Sequence, residues 1–427
     1  MKLAADEERM LAGEFGPGVQ RAIELLVAVG EAYEAEKMID ISSSHILSPE
    51  MQFWNTGQLS HWAQELVAES VEGAESFRVP VTINPIFLEP KVAERLGYPE
   101  SYIEEMRQSL AYGMETYGRL GVIPTYTCCP FYVYPLRYGE HTGGAESLVV
   151  LFNNSVLGVR VNRESGPTAL ATALTGKTPL YGMHLPENRH GQALIELKDD
   201  LDPRSFTYAD YNALSYYVGK RVVDKIPVFL GLPQNVSITQ LKYLSAPLGV
   251  SAGIPMFHAV GITPEAPTVE AALGGKKAEM TVEVGKEEIN ITFEELCSAT
   301  EPRINYVFLG CPHVTITEMK EIATLLQGKK VKPDVLFVVG TAEPIRLLAQ
   351  EMRLVDIIQD SGAMVVSGMC SAGSFLRRGV PKGFKAGVVA TNSAKAAHYL
   401  KVSGVQVWFG TMQKCITAAI RGTWEVV

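Results

Sequence analysis

Short apolar runs alternate with amphipathic stretches most regularly in the last third of the chain. Asn305–Gly310, Val335–Gly340, Ala363–Ser367, Ala386–Ala390 and Val405–Phe409 are strand-length runs rich in apolar residues. Between and after them, Thr317–Leu326, Ala342–Glu351, Ser393–Leu400 and Met412–Ile420 carry apolar residues at helical spacing. Strands apolar on both faces and separated by helices predict a doubly wound parallel sheet, with ligands at the carboxyl ends of its strands. That register puts Cys311-Pro312-His313 past the first strand and Cys370 past the third. Thr391-Asn392-Ser393 follows the fourth, where it can cap the next helix. Three adjacent strand ends would face one crevice.

The pattern upstream is less regular. The first seventy residues read as mainly helical, over Gly18–Met38 and Ser60–Ser70. Phe77–Ile83 and Val122–Thr127 look like strands flanking a long helix, Glu100–Leu120, and the second runs into Cys128-Cys129-Pro130. Glu146–Val156, Pro167–Leu174, Tyr208–Val222 and Thr239–Leu248 read as helices, Ala193–Leu197 and Pro255–Val260 as extended. Lys277–Thr292 alternates as a hairpin about Gly285. The expected division is a mainly helical segment 1–75, a central α/β region 76–300 holding the Cys128 turn, and a C-terminal α/β domain 301–427 holding Cys311 and Cys370.

Composition narrows the function classes. The 427 residues carry 38 basic and 47 acidic side chains, a net charge of −9, and 47% of them are hydrophobic. Such a chain can bury its own cores without disulfide staples. An acidic chain with no basic block lacks the footprint of a nucleic-acid binder. The charged start, Asp6-Glu7-Glu8-Arg9, differs from a secretory signal, and no uncharged apolar run reaches the roughly 18 residues of a membrane span. The expected compartment is the cytoplasm, with no membrane association.

Six cysteines are too sparse for a disulfide scaffold. Cys297 and Cys415 sit in helical patterns and read as small core residues. Cys128 or Cys129, Cys311 and Cys370 each follow a strand in a turn with Pro, Gly or Ser. No C-x-x-C spacing is present, which argues against a zinc ribbon or ferredoxin-type cluster. Dispersed cysteines converging from different elements suit an iron–sulfur cluster with one open iron, a Lewis acid toward a substrate hydroxyl.

Other features invite chemistry less firmly. Gly176-Lys177-Thr178 imitates the end of a phosphate loop, but Ala171 stands where the first glycine belongs and Pro179 follows. His184 and His190 flank Pro186–Arg189 without the helical spacing of a zinc site, and fit either a substrate-anchoring or a solvated loop. Arg160 and Arg163 suit carboxylate or phosphate recognition, or a solvated charge run equally well. Cys311 beside His313 admits a nucleophile with its base.

A series of ordered motifs resembles the aconitase X catalytic domain. They are Asn154-Ser155-Val156-Leu157-Gly158, Val161-Asn162-Arg163-Glu164, the run Ala173–His184, Phe257-His258 with Gly261–Glu265, Leu309-Gly310-Cys311-Pro312-His313 and Thr391-Asn392-Ser393. The resemblance covers nearly the whole chain, from Leu11-Ala12-Gly13-Glu14 onward. It implies an aconitase-like α/β core around an iron–sulfur cluster, and dehydration of cis-3-hydroxy-L-proline or mevalonate 5-phosphate. It also implies Cys128, Cys311 and Cys370 as cluster ligands, with Cys129 standing where the family has threonine and competing with Cys128. Implied substrate-side groups are Glu146, Ser147, Asn154, Ser155, Arg163, His184, Asn392 and Ser393.

Two departures from the family pattern bear on function. The loop Ile46–Trp54 brings Glu50, Met51, Phe53 and Trp54 in place of a glycine and tyrosine pattern, and so points to a third substrate. The family's swivelling lid domain, which supplies a catalytic serine as base, is expected on a separate small subunit. The sequence therefore reads as the large catalytic subunit of a heterodimeric iron–sulfur hydro-lyase acting on a small hydroxy acid. A ligand-binding or regulatory homologue that has lost the cluster is the alternative, as is a cysteine-nucleophile enzyme.

Overall fold

A computed structural model describes residues 1–49, 61–86, 88–370 and 387–425. The chain divides into two compact units, Met1–Ile86 with Pro99–His190 and Phe87–Tyr98 with Gly191–Val427. Among the described residues no helix is long and apolar enough to cross a membrane. The residues Glu50 to Trp54 of the variable loop, and Ser371, lie outside the described residues.

In the first unit, β1 (Met38–Asp40) pairs antiparallel with a later strand, Lys177–Pro179. β2 (Ser43–Ile46) is the centre of a three-stranded parallel sheet, flanked by β3 (Val81–Ile83) and β4 (Thr142–Gly144). Lys177–Pro179 is β5. Ile23, Leu26, Ile46, Val81 and Leu174 lie in one core beneath these strands.

Two expectations here need correction, and one helix continues in a wider turn. The helix from Pro17 stops at Ala32 rather than Met38, because Glu34 takes a φ of 57° and Ala35 N–H turns back to the Gly30 carbonyl. Helix-forming side chains at 33–37 are thus overridden by the pairing that begins at Met38. Val122–Thr127 is not a strand. Pro124 has no N–H to give a ladder and Tyr126 takes a φ of 39°, so only Ile123 bridges to Thr82. The segment still runs beside β3, through Ile123 N–H to Val81 O (2.8 Å) and Thr127 N–H to Ile83 O (3.0 Å). The helix Ser147–Phe152 widens into a π-turn over Asn153–Leu157 before Gly158 ends it.

The second unit holds two parallel sheets. One has the order β8-β7-β6-β9, with β6 (Ala193–Leu197), β7 (Pro227–Phe229), β8 (His258–Ala259) and β9 (Met280–Val284). Lys277–Thr292 is therefore no hairpin. β9 lies parallel to β6, and Gly285 N–H donates to Glu288 Oε2 (2.7 Å) to open the helix Lys286–Leu296. Cys297 caps that helix from just past its end instead of lying inside it.

The other sheet is the doubly wound one. Its order is β12-β11-β10-β13-β14, all parallel, from β10 (Tyr306–Val314), β11 (Leu336–Thr341), β12 (Met364–Ser367), β13 (Val388–Thr391) and β14 (Gln406–Phe409). Helices Ile316–Leu326, Glu343–Glu351, Ala394–Val402 and Met412–Arg421 fall where the periodicity puts them. Two details differ. Cys311 lies inside β10, which continues to Val314 through an irregularity in its pairing with β11. At that irregularity Gly310 takes a φ of 127°, and a Cβ there would collide with the backbone of Gly340. The ends of β10 and β13 are neighbours, whereas β11 separates β10 from β12.

Candidate functional site

In the first unit His45 and Glu146 stand near the ends of β2 and β4, where Ala145 N–H donates to the His45 carbonyl. His45, on β2, is 3% exposed, with Nδ1 2.8 Å from Thr82 Oγ1 and Nε2 3.3 Å from Asn84 Oδ1. Burial lowers its pKa to about 4, against the opposing pull of Glu146, so it is neutral near pH 7. Glu146 spends one oxygen on the helix that follows, accepting from Val149 N–H (2.9 Å), and Ser147 Oγ lies 3.4 Å from the other. Cys128 is half-buried and Cys129 is 1% exposed, with their sulfurs 3.9 Å apart. Cys129 N–H donates to Thr127 Oγ1 as Pro130–Tyr132 begins a short turn.

Asn154 is a buried fastener. Its Nδ2 donates to Val161 O and its Oδ1 accepts from Val161 N–H, which ties the π-turn to the strand-like segment after Gly158. Arg189 joins the same knot. At 2% exposure it donates to Asn154 Oδ1, Asn154 O, Val159 O and Met183 O at 3.0–3.2 Å. The Pro186–Arg189 loop is therefore anchored by its arginine. Ser155 is buried beside this knot, and Arg163 is exposed.

His184 is 1% exposed, and its Nδ1 meets His141 Nδ1 at 3.0 Å. One ring must donate and the other accept, so the pair holds complementary tautomers. Burial, with His141, Arg189 and Arg160 nearby, pushes the His184 pKa down to about 3, and burial with both arginines lowers His141. His184 Nε2 is buried without a hydrogen-bond partner among the described residues. Glu164 shows the converse shift. Burial raises its pKa to about 8 against the bonds from Gly144 N–H and Thr178 Oγ1. The phosphate-loop imitation dissolves here: Lys177 pairs with Asp40 at 2.7 Å and Asp6 at 2.9 Å, and Thr178 serves Glu164.

In the second unit the strand ends of the doubly wound sheet are stitched together. Thr341 Oγ1 donates to Val314 O (2.8 Å), Gly368 N–H donates to Thr341 O (3.0 Å), and His313 Nε2 donates to Met369 O (2.9 Å). Cys311, 7% exposed, and Cys370, half-buried, therefore lie on two segments that His313 joins directly. Behind them, Lys242 donates to His313 O (3.0 Å) and pairs with Glu318 Oε2 (2.6 Å), both fully buried. Tyr243 OH donates to Glu318 Oε1, and Asn392 Nδ2 donates to Tyr243 OH (3.2 Å). Burial and the adjacent Glu318 carboxylate raise the Tyr243 phenol well above its usual value. Ser393 Oγ accepts from Ala396 N–H (3.0 Å) and caps its helix.

None of the six cysteines is in a disulfide. Among the described residues no group of three or more His, Cys, Asp or Glu side chains is placed to hold a metal ion. Cys128 and Cys129 lie in the first unit, Cys311 and Cys370 in the second. Three thiols of this set are soft donors on turns or irregular strand, which suits iron and sulfide chemically.

Sequence reasoning missed the buried charges. Lys242 had a signal, a lysine between Leu241 and Tyr243 in an otherwise uncharged helix, with Glu318 at the fourth place of Thr315-Ile316-Thr317-Glu318, a capping-box spacing. Arg189, His45 and the buried Glu164 had none, since most of their partners are distant in sequence.

Parallel strands layered with helices, with polar groups near several strand ends, define an α/β protein. Matches to family models resolve it further: the aconitase X first domain over residues 1–187, the second over 191–294 and the third over 304–421. The chain belongs to the aconitase X family. It is 35% identical to the phosphomevalonate dehydratase large subunit of Methanocaldococcus jannaschii over 97% of this chain and 99% of that protein. It is 34% identical to the cis-3-hydroxy-L-proline dehydratase of Pseudomonas aeruginosa over 99% of this chain and 70% of that protein. The crystal structure of Thermococcus kodakaraensis aconitase X in its holo-form superposes with a TM-score of 0.84 at 30% identity, covering 98% of this chain and 100% of that one.

Proposed function

We propose that this chain is the large, catalytic subunit of an iron–sulfur-dependent dehydratase acting on a small hydroxy acid. The protein is an enzyme of the hydro-lyase class, as its relatives are named dehydratases over nearly its full length. The observation that carries the reading further is the direct bond from His313 to Met369, which ties the Cys311 strand to the Cys370 turn. Cys128, Cys311 and Cys370 are the residues that would hold the cluster, with Cys129 the alternative to Cys128. A bound cluster with an open iron supplies Lewis acidity toward a substrate hydroxyl.

The remaining work falls to this chain and its partner. Arg163, exposed on the first unit, would take a carboxylate or phosphate. Glu146, Ser147, Asn154, Ser155, His184, Asn392 and Ser393 complete the proposed substrate side. Of these, Asn154 and Ser393 act through backbone that they hold, because their side chains are engaged in fastening and capping. A serine on a small swivelling subunit would take the carbon-bound proton. The relatives named large subunits support such a partner. The substrate is a hydroxy acid related to mevalonate 5-phosphate or cis-3-hydroxy-L-proline, with residues 46–54 shifting the preference away from both.

The test is anaerobic co-expression with candidate small subunits, then iron and sulfide analysis and a substrate screen. Brown protein that dehydrates a hydroxy acid only as the two-chain complex is the expected result. Colourless, iron-free protein would favour the regulatory reading, and iron-free activity lost to alkylation the cysteine-nucleophile reading. A kcat/KM of roughly 10⁴ M⁻¹s⁻¹ or more on either known family substrate would remove the claim of a third substrate.

A further inference from the structure

Three segments of the doubly wound sheet meet one buried charge pair. Lys242 Nζ reaches the His313 carbonyl at 3.0 Å and Glu318 Oε2 at 2.6 Å, and all three residues are almost wholly buried. His313 passes this on through its ring to Met369 O, one residue before Cys370. Glu318 also accepts from Thr315 N–H (2.9 Å), which fixes the chain directly after the Cys311 segment. On the other side Tyr243 gives its proton to Glu318, so its oxygen can only accept from Asn392. That logic sets the carboxamide: Nδ2 faces Tyr243 and Oδ1 faces away, buried and without a partner among the described residues.

We propose that Lys242 and Glu318 are positioning residues, which hold the Cys311 and Cys370 segments in register and, through Tyr243, present the Asn392 oxygen as an acceptor. The role of the thiols as cluster ligands rests on the function proposed above; the positioning does not. A buried lysine makes the sheet end specific because its ammonium can satisfy a carbonyl and a carboxylate at once, where an apolar side chain would satisfy neither. The acceptor left at Asn392 suits a ligand group with a proton to donate, such as a hydroxyl. An uncompensated carboxylate or phosphate would be repelled there.

The test compares Lys242→Met, Lys242→Met/Glu318→Gln and Tyr243→Phe in the full chain, by amide exchange and by iron content after anaerobic reconstitution. The double variant removes both charges, and its carboxamide oxygen can still accept from Thr315 N–H while its NH2 faces the Tyr243 oxygen, so it retains the fold if the single variant does not. The expected result is about tenfold faster exchange over 310–315 and 366–370 in the folded lysine variants, with 193–197 unchanged and iron several-fold lower. Tyr243→Phe should leave exchange and iron as in the parent and lower affinity for a hydroxyl-bearing ligand. Parent-like exchange over both segments in either lysine variant would overturn the proposal. So would a double variant that fails to fold, since the pair would then be general core. An iron-free parent would refute the cluster reading, while the exchange comparison would still decide the positioning.

Discussion

Arg189 in the first unit and Lys242 in the second are both buried cations, and the two units accommodate them differently. Arg189 spreads four hydrogen bonds over backbone carbonyls and the Asn154 amide, closing irregular chain around a π-turn. Lys242 sits beside a regular sheet and concentrates on one carboxylate and one carbonyl. The titratable groups follow the same division. Burial shifts His45, His184 and Glu164 of the first unit toward their neutral forms, whereas the second wholly buries the ion pair of Lys242 and Glu318. Where the backbone is irregular, side chains supply the missing partners of carbonyls and amides. Where the sheet supplies them, a side chain is left to align strand ends.

The largest expected effect tests whether both units serve one function. Cys128→Ala, Cys311→Ala and Cys370→Ala should each lose most reconstituted iron and nearly all turnover of the two-chain enzyme. Cys297→Ala and Cys415→Ala should keep both, since these thiols have pKa values raised by burial and lie at a helix end and inside a helix. Iron and sulfide assays check this. Iron retained in Cys128→Ala but lost in Cys129→Ala would transfer the ligand to its neighbour.

Next in size is Arg189→Met. It leaves the carbonyls of Asn154, Val159 and Met183 without these donors in a dry setting, at a cost of about 3–5 kcal/mol by analogy with other buried polar networks. Urea unfolding should show the loss. A change below about 1 kcal/mol would mean that the knot is filled by water.

The pH response should also separate the units. Glu164 has its folded pKa raised from 4.5 to about 8, so the stability it contributes is fully present below 4.5 and lost as pH rises through 8. His184 is lowered from 6.5 to about 3, and its contribution is present above 6.5 and lost as pH falls toward 3. Exchange protection of 43–46 and 142–144 should therefore fall between pH 6 and 8.5 after correction for intrinsic rate, and Glu164→Gln should flatten that fall. Protection over 336–341 should not follow it. Equal slopes in both regions would show that Glu164 is ionised with a partner.

The doubly wound sheet was legible because each strand and helix is coded locally, by an apolar run or a 3.6-residue period that its burial on both faces requires. Tyr208–Val222 falls where the pattern puts it, for the same reason. The first unit was less legible because its strands have only three or four residues, too short for a period to register against neighbouring helix formers. Lys277–Thr292 failed differently. Its alternation is real over Met280–Val284, but the Glu288 side chain turns the next residues into a helix that alternation cannot reveal. The thiol segments were visible as turns after apolar runs, and the motif resemblance selected among them. The buried pairs that align them depend on contacts across 70 residues or more, which no local pattern carries.

The smallest expected effect concerns Ser393, which the motifs put on the substrate side and the strand register put at a helix start. Its Oγ accepts from Ala396 N–H at 3.0 Å, and its own N–H donates to Thr391 Oγ1 at 3.2 Å. An N-cap serine satisfies a helical N–H that otherwise has no intrahelical acceptor, and replacing it with alanine costs about 1 kcal/mol, with glycine only a few tenths. Ser393→Ala should therefore lower the unfolding midpoint slightly and Ser393→Gly less. If capping is its whole role, both variants should keep KM within about twofold of the parent, because the neighbouring Asn392 retains its bond to Tyr243. A substrate role predicts the opposite split, a KM raised at least tenfold in both variants irrespective of their stability, since a lost hydrogen bond to a ligand does not depend on which small residue replaces the serine.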